Sequence, residues 1–166
     1  MKKIMCVVFF LLLCVSLVGC DPGSYSFDYE VLLDKVVGVE LIDYENEKQK
    51  KFSSWVPNHL PDLVPFDLSK MTLLETLDNE NLDAFLKQLS EIDFLHKYYT
   101  YDSPKGICIR LLYENGNFEI ISGGPSYGGY VGSYSSSGEV VDFAGAFANH
   151  DSFTYLINDY FETKLE

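Results

Sequence analysis

Positive charge is what this chain has least of. Its 166 residues carry 12 Lys and Arg against 25 Asp and Glu, a formal net charge of −13, and Arg110 is the sole arginine. A surface of this sign repels phosphate backbones and anionic headgroups, which excludes nucleic acid as a partner and leaves a solvated acidic surface or a cationic partner as readings. Histidine is as sparse: His59, His96 and His150 lie far apart, and none has the one-turn spacing of a zinc pair, so neither a metal nor a cofactor is expected. The chain has no Gly-x-Ser-x-Gly elbow, phosphate loop or dinucleotide fingerprint; Gly123-Gly124 and Gly128-Gly129 lack the strand-to-helix setting such loops require.

One long apolar run is present. Lys2 and Lys3 precede Ile4–Val18, which only Ser16 interrupts. At fewer than the ~20 residues of a membrane span, the run has the form of an export signal's hydrophobic region. It ends in Leu17-Val18-Gly19-Cys20, which resembles the lipobox of bacterial lipoproteins. The resemblance implies a signal peptide over residues 1–19, a diacylglyceryl group on the Cys20 thiol, cleavage by signal peptidase II before Cys20, and a chain anchored on the extracytoplasmic face of a cell membrane. Asp21 directly after the cysteine implies, in enterobacterial relatives, retention at the inner membrane. A plain secretory signal or an uncleaved anchor is the competing reading. Two acyl chains hold a protein stably where one is marginal, so the domain needs no membrane-binding face of its own.

Cysteine usage agrees with that address. Cys6 and Cys14 leave with the signal and Cys20 is consumed by lipid, so Cys108 is left alone and no internal disulfide can form. Removal of Lys2 and Lys3 makes the mature chain two charges more negative. Asp21–Glu166 has the length of one domain able to bury its own core. Residues 20–33, opening with Asp21-Pro22-Gly23-Ser24-Tyr25-Ser26, read as the lipidated cysteine and a tether reaching at most roughly 40 to 50 Å, and 34–166 as a single α+β domain.

Within the domain, Lys35–Tyr44 is rich in Val, Ile and Leu and reads as a buried first strand, with Val37, Val39 and Leu41 on one face and Val36, Gly38, Glu40 and Ile42 on the other. Asn46–Ser54 reads as a solvated loop. Pro57, Pro61 and Pro65 then interrupt Trp55, Val56, Leu60, Leu63, Val64 and Phe66, a stretch that drapes apolar side chains over a core edge. From Asp78 or Asn79 a helix is expected, with Leu82, Phe85, Leu86, Leu89 and Ile92 at helical spacing.

Asn115-Gly116 between Gly106–Glu114 and Asn117–Ser122 is a hairpin signal. A two-residue turn sets Tyr113 opposite Phe118, Leu111 opposite Ile120 and Ile109 opposite Ser122 on the buried face. It places Leu112 with Glu119 and Arg110 with Ile121 on the outer face, with Arg110 and Glu119 as diagonal partners and Cys108 beside them. Gly123–Gly138 reads as a looser hairpin ending in a strand at Glu139–Phe143, and a helix from Asp151 carries Phe153, Leu156, Ile157, Tyr160 and Phe161 in a stripe. The expected fold is therefore α+β: an antiparallel sheet of about five strands, two helices on one face, in the order β-α-β-β-β-β-α. That order resembles TATA-binding-protein-like domains, a resemblance that carries no function. The mature chain also resembles small uncharacterised envelope lipoproteins.

Four sets of residues merit attention as sites. Cys108 with His96 or His150 could form a nucleophile and base, against the commoner use of a lone cysteine as a small strand residue. Glu91 with Asp93, or Asp151 with Asp159, could supply the two carboxyls of glycoside hydrolysis, although a chain this acidic makes such pairs by chance. Tyr127, Tyr130 and Tyr134, among Ser and Gly, have the composition of a binding loop; the competing reading packs them on the sheet. Arg110 and Glu119 mark the outer sheet face. The expectation is a lipid-anchored, non-catalytic binding module near the membrane, with an envelope protein or glycan as partner; the alternative is an envelope hydrolase acting on peptidoglycan or polysaccharide.

Overall fold

A computed structural model describes residues 24–45, 51–53, 64–96, 99–101, 103–123, 129–143, 146–147 and 150–165. The signal segment, Cys20, all of residues 54–63 and Tyr127 lie outside them. The chain folds as α+β about a six-stranded antiparallel sheet. In chain order its elements are β1 (Ser24–Tyr25), α1 (Tyr29–Lys35), β2 (Val36–Tyr44), β3 (Lys51–Ser53), β4 (Met71–Thr76), α2 (Leu82–Ser90), β5 (Phe94–His96), β6 (Tyr99–Tyr101), β7 (Gly106–Tyr113), β8 (Phe118–Gly123), β9 (Gly129–Tyr134), β10 (Val140–Phe143), β11 (Ala146–Phe147) and α3 (His150–Tyr160). The main sheet runs β10-β9-β8-β7-β2-β4; a small sheet orders β1-β5-β11, and β3 pairs with β6.

The expected α+β class therefore holds, but the finer reading needs correction. The residues assigned to a tether hold β1 and α1. Asp28 caps α1 by accepting the Val31 N–H at 3.2 Å, and Lys35 complements its C-terminal dipole. Lys51–Ser53, expected as loop, is strand, and β4 is a sixth strand of the main sheet. With three α-helices among the described residues and this order, the chain departs from the β-α-β-β-β-β-α pattern. α2 and α3 form where helical spacing put them, although neither Asp78 nor Asn81 makes a side-chain capping bond.

The hairpin of β7 and β8 forms around Asn115-Gly116 in a register one residue away from that of a two-residue turn. Leu112 faces Phe118, Leu111 faces Glu119, Arg110 faces Ile120 and Ile109 faces Ile121. The loop spans Glu114, Asn115 and Gly116. Tyr113 N–H donates to Asn117 O at 3.0 Å, Gly116 N–H to Tyr113 O at 2.9 Å, and Gly116 sits at φ +82°. This is the three-residue loop in which a type I turn is followed by a left-handed residue, a conformation glycine adopts without steric cost. Because side chains alternate, the shift moves Phe118 and Ile120 to the face opposite Leu111 and separates Arg110 from Glu119.

Both faces of the sheet are consequently buried. One packs Val39, Leu41, Ile109, Leu111, Ile121 and Val131 against Leu32 of α1, Phe85, Leu86 and Leu89 of α2, and Phe153, Leu156 and Ile157 of α3. A bulge between Val36 and Gly38 turns Val36 into this core and leaves Val37 exposed, so the two change places relative to strict alternation. The other face holds Ile42, Tyr44, Cys108, Phe118, Ile120, Tyr130 and Tyr134 under Phe66. Phe66 stacks on Tyr44 at 4.3 Å and meets Phe118 edge-on at 5.3 Å. Its N–H donates to Gly138 O at 2.8 Å, and the next N–H, of Asp67, donates to the Tyr44 hydroxyl at 3.0 Å. Of the apolar residues in the proline-rich stretch, Phe66 covers this core and Val64 is exposed, while Trp55, Val56, Leu60 and Leu63 lie outside the described residues. At ~1.5 to 3 kcal/mol per buried large apolar side chain, this second cluster adds substantially to stability, although it is the smaller of the two.

Candidate functional site

The strand geometry that builds the second core also creates its one described ion pair. Arg110 stands in β7 opposite Glu40 of β2, and Nη1 donates to Glu40 Oε2 at 3.1 Å. Both side chains are 16 % exposed. The guanidinium lies 4.4 Å from the Phe118 ring centroid, and Nη1 also contacts Met71 Sδ at 3.6 Å. Nε is buried with no hydrogen-bond partner. The result is a partly dehydrated guanidinium held between a carboxylate, a thioether and an aromatic face, where cation–π attraction adds about 1 kcal/mol. Leu73 of β4, opposite Ile42 on this side of the sheet, is 50 % exposed and gives the neighbourhood an apolar margin.

Glu119 is on the other face. Its carboxylate accepts the Tyr113 hydroxyl and the Ser133 hydroxyl, each at 2.7 Å. The expected diagonal pairing of Arg110 with Glu119 is therefore corrected: each has different partners, because the three-residue loop put them on opposite sides.

Tyr130 and Tyr134 are fully buried, and their hydroxyls are hydrogen-bonded to each other. Burial, reinforced by the neighbouring Tyr130, pushes the Tyr134 phenol well above its ordinary range, so it stays neutral. Gly132 lies between them along β9, and a Cβ there would stand 2.6 to 2.8 Å from Tyr130 ring and hydroxyl atoms. The spacing Tyr-x-Gly-x-Tyr thus lays one ring across the glycine. Neither tyrosine offers the contact surface suggested by the loop's composition; both are core residues.

Cys108 is also fully buried, with Sγ donating to Gly106 O at 3.2 Å, and burial raises its pKa far above the usual thiol range. A thiol so placed is a packing residue and a poor nucleophile. Glu91, Asp93, Asp151 and Asp159 are all exposed, and Asp159 accepts from Gln88 Nε2 at 3.2 Å. Among the described residues, no group of three His, Cys, Asp or Glu could hold a metal ion, and no helix is long and apolar enough to cross a membrane.

Sequence reasoning missed Glu40, Met71 and Leu73 as neighbours of Arg110. A signal for the first was present: Glu40 and Arg110 are isolated charges in the middles of apolar strands, and such charges require partners. No family model, curated protein or solved structure matches this chain.

Proposed function

We propose that this chain is the precursor of a lipid-anchored envelope protein whose folded domain is a non-catalytic interaction module working beside the membrane. The observation that carries the reading is Leu17-Val18-Gly19-Cys20 at the end of a short apolar run behind Lys2 and Lys3. The Arg110–Glu40 pair with exposed Leu73 supports an interaction role. It joins a charged group of each sign to an apolar margin, which suits a protein or glycan partner better than it suits proton transfer. The strongly acidic surface favours cationic partners.

Metabolic labelling with a palmitate analogue in a bacterial host tests the anchor. The wild-type chain should incorporate label and remain with membranes after a high-salt wash, whereas Cys20→Ala should do neither. Equal membrane retention of both, without label, would sink the anchor. Leu73→Glu should then reduce recovery of crosslinked envelope partners while leaving the melting temperature unchanged. Unaltered recovery would remove the β4 margin from the interaction role.

A further inference from the structure

The fold alters how far the domain can stray from its anchor. β1 is paired antiparallel to β5, Ser24 opposite Leu95 and Tyr25 opposite Phe94, and Phe27 just beyond is buried with its ring edge-on to Phe94 at 5.3 Å. Ser24 is therefore already fixed to the folded domain. Only Asp21, Pro22 and Gly23 separate it from Cys20, so the two ends of that connection lie at most about 14 Å apart. Sliding out further chain would break β1 and pull Phe27 from the core.

The attachment point is also at one end of the molecule. β5 pairs with β11, which follows β10 within three residues, and β7 starts at Gly106 opposite Tyr44, the last residue of β2. From here α1 leads to Val36, opposite Tyr113 at the other end of β7. The loop at Glu114–Gly116 and the turn at Ser135–Gly138 meet at that far end, where a Cβ on Gly116 would contact Ser136 Cβ at 3.4 Å. The eight residues of β7 separate the two ends by roughly 25 Å.

We infer that the domain stands on the bilayer by its β1-β5-β11 end and presents the two hairpin turns away from the lipid. This rests on the lipid-anchor reading. The partner at the near end is a lipid surface, identified by the length of chain between the acylated cysteine and β1. The acidic side chains Asp28, Asp93 and Asp151 near these elements oppose insertion, so the short connection sets the orientation without burial in the membrane.

The test uses full-length Ser26→Cys and Ser136→Cys variants, both at exposed positions, exported and acylated in a bacterial host. Buried Cys108 leaves the new thiol as the reactive one. Each is labelled with a fluorophore and reconstituted into phosphatidylethanolamine–phosphatidylglycerol vesicles containing a lipid with a quencher on its headgroup. Quenching should be at least about threefold greater at position 26, given the separation of the two ends. A ten-residue Gly-Ser insertion after Asp21 adds roughly 35 Å of reach and should make the two labels similar. Equal quenching of acylated protein without the insertion overturns the orientation alone. An asymmetry that survives the insertion overturns the tether as its cause. Protein whose mass shows no acyl group overturns the anchor and the orientation with it.

Discussion

Arg110 is the one charge in β7 and Glu40 faces it from the neighbouring interior strand β2, and the two pair across the sheet. A pair 16 % exposed on both sides lies between surface bridges, which contribute little, and buried ones, whose separate members are costly to leave unpaired. Arg110→Met should therefore destabilise the domain by about 2 to 4 kcal/mol, chiefly by stranding Glu40. Arg110→Met combined with Glu40→Met should lose less than Arg110→Met alone. Urea unfolding of all four members of the cycle measures the coupling. Additive losses would show that the two charges do not act as a unit. The need for a partner was legible in the sequence at both positions. Which partner was not, because Glu40 reaches Arg110 only through the pairing of β2 with β7, two segments 70 residues apart in the chain.

At the level of elements, edge strand β4 ties the C-terminus to the sheet. Glu75 accepts the Glu162 N–H at 2.7 Å and the Thr163 N–H at 2.6 Å, while Lys164 Nζ reaches the carbonyls of Asn158 and Phe161 at the end of α3. Hydrogen bonding from the Thr163 side chain, and then from the two backbone amides, holds the Glu75 carboxyl below the usual carboxylate range. A depressed carboxylate contributes stability that is present above its unfolded pKa and is lost as pH falls through the folded one. Amide signals of Glu162 and Thr163 should accordingly titrate at lower pH than those beside freely exposed glutamates in NMR spectra, and Glu75→Gln should abolish that transition. Signals that move together with freely exposed carboxylates would discard the clamp. β4 itself escaped the sequence reading because its ladder to β2 is irregular between Leu41 and Ile42, where Leu74 is the unpaired extra residue. Adjacent Leu73 and Leu74 then show no period of two. α2 and α3 were readable because their apolar stripes are continuous and face one core, whereas the seven residues of α1 bury only Leu32.

Across the whole molecule, one sheet separates two cores, and Cys108 lies in the aromatic one with no exposed surface. Exposing its thiol requires loss of the packing among Phe66, Phe118 and the two buried tyrosines, which makes it a reporter of cooperative opening. In the Cys20→Ser chain, alkylation of Cys108 by iodoacetamide at pH 8 should be at least ~1,000-fold slower than in urea, following the fraction unfolded. Reaction at the rate of an unfolded thiol under native conditions would contradict a closed second core.

Composition, short motifs and helical periodicity by themselves determined the acidic charge, the α+β class, the stripes of α2 and α3 and the existence of the β7–β8 hairpin, because each depends on residues close together in the chain. Tertiary structure alone decided the hairpin register, the burial of Tyr130 and Tyr134, the parting of Arg110 from Glu119 and the incorporation of residues 24–35 into the domain. Sheet registers and buried faces are set by which segments meet. A shift of one residue exchanges every side chain between faces, whereas the sequence pattern on either side of Asn115-Gly116 remains the same.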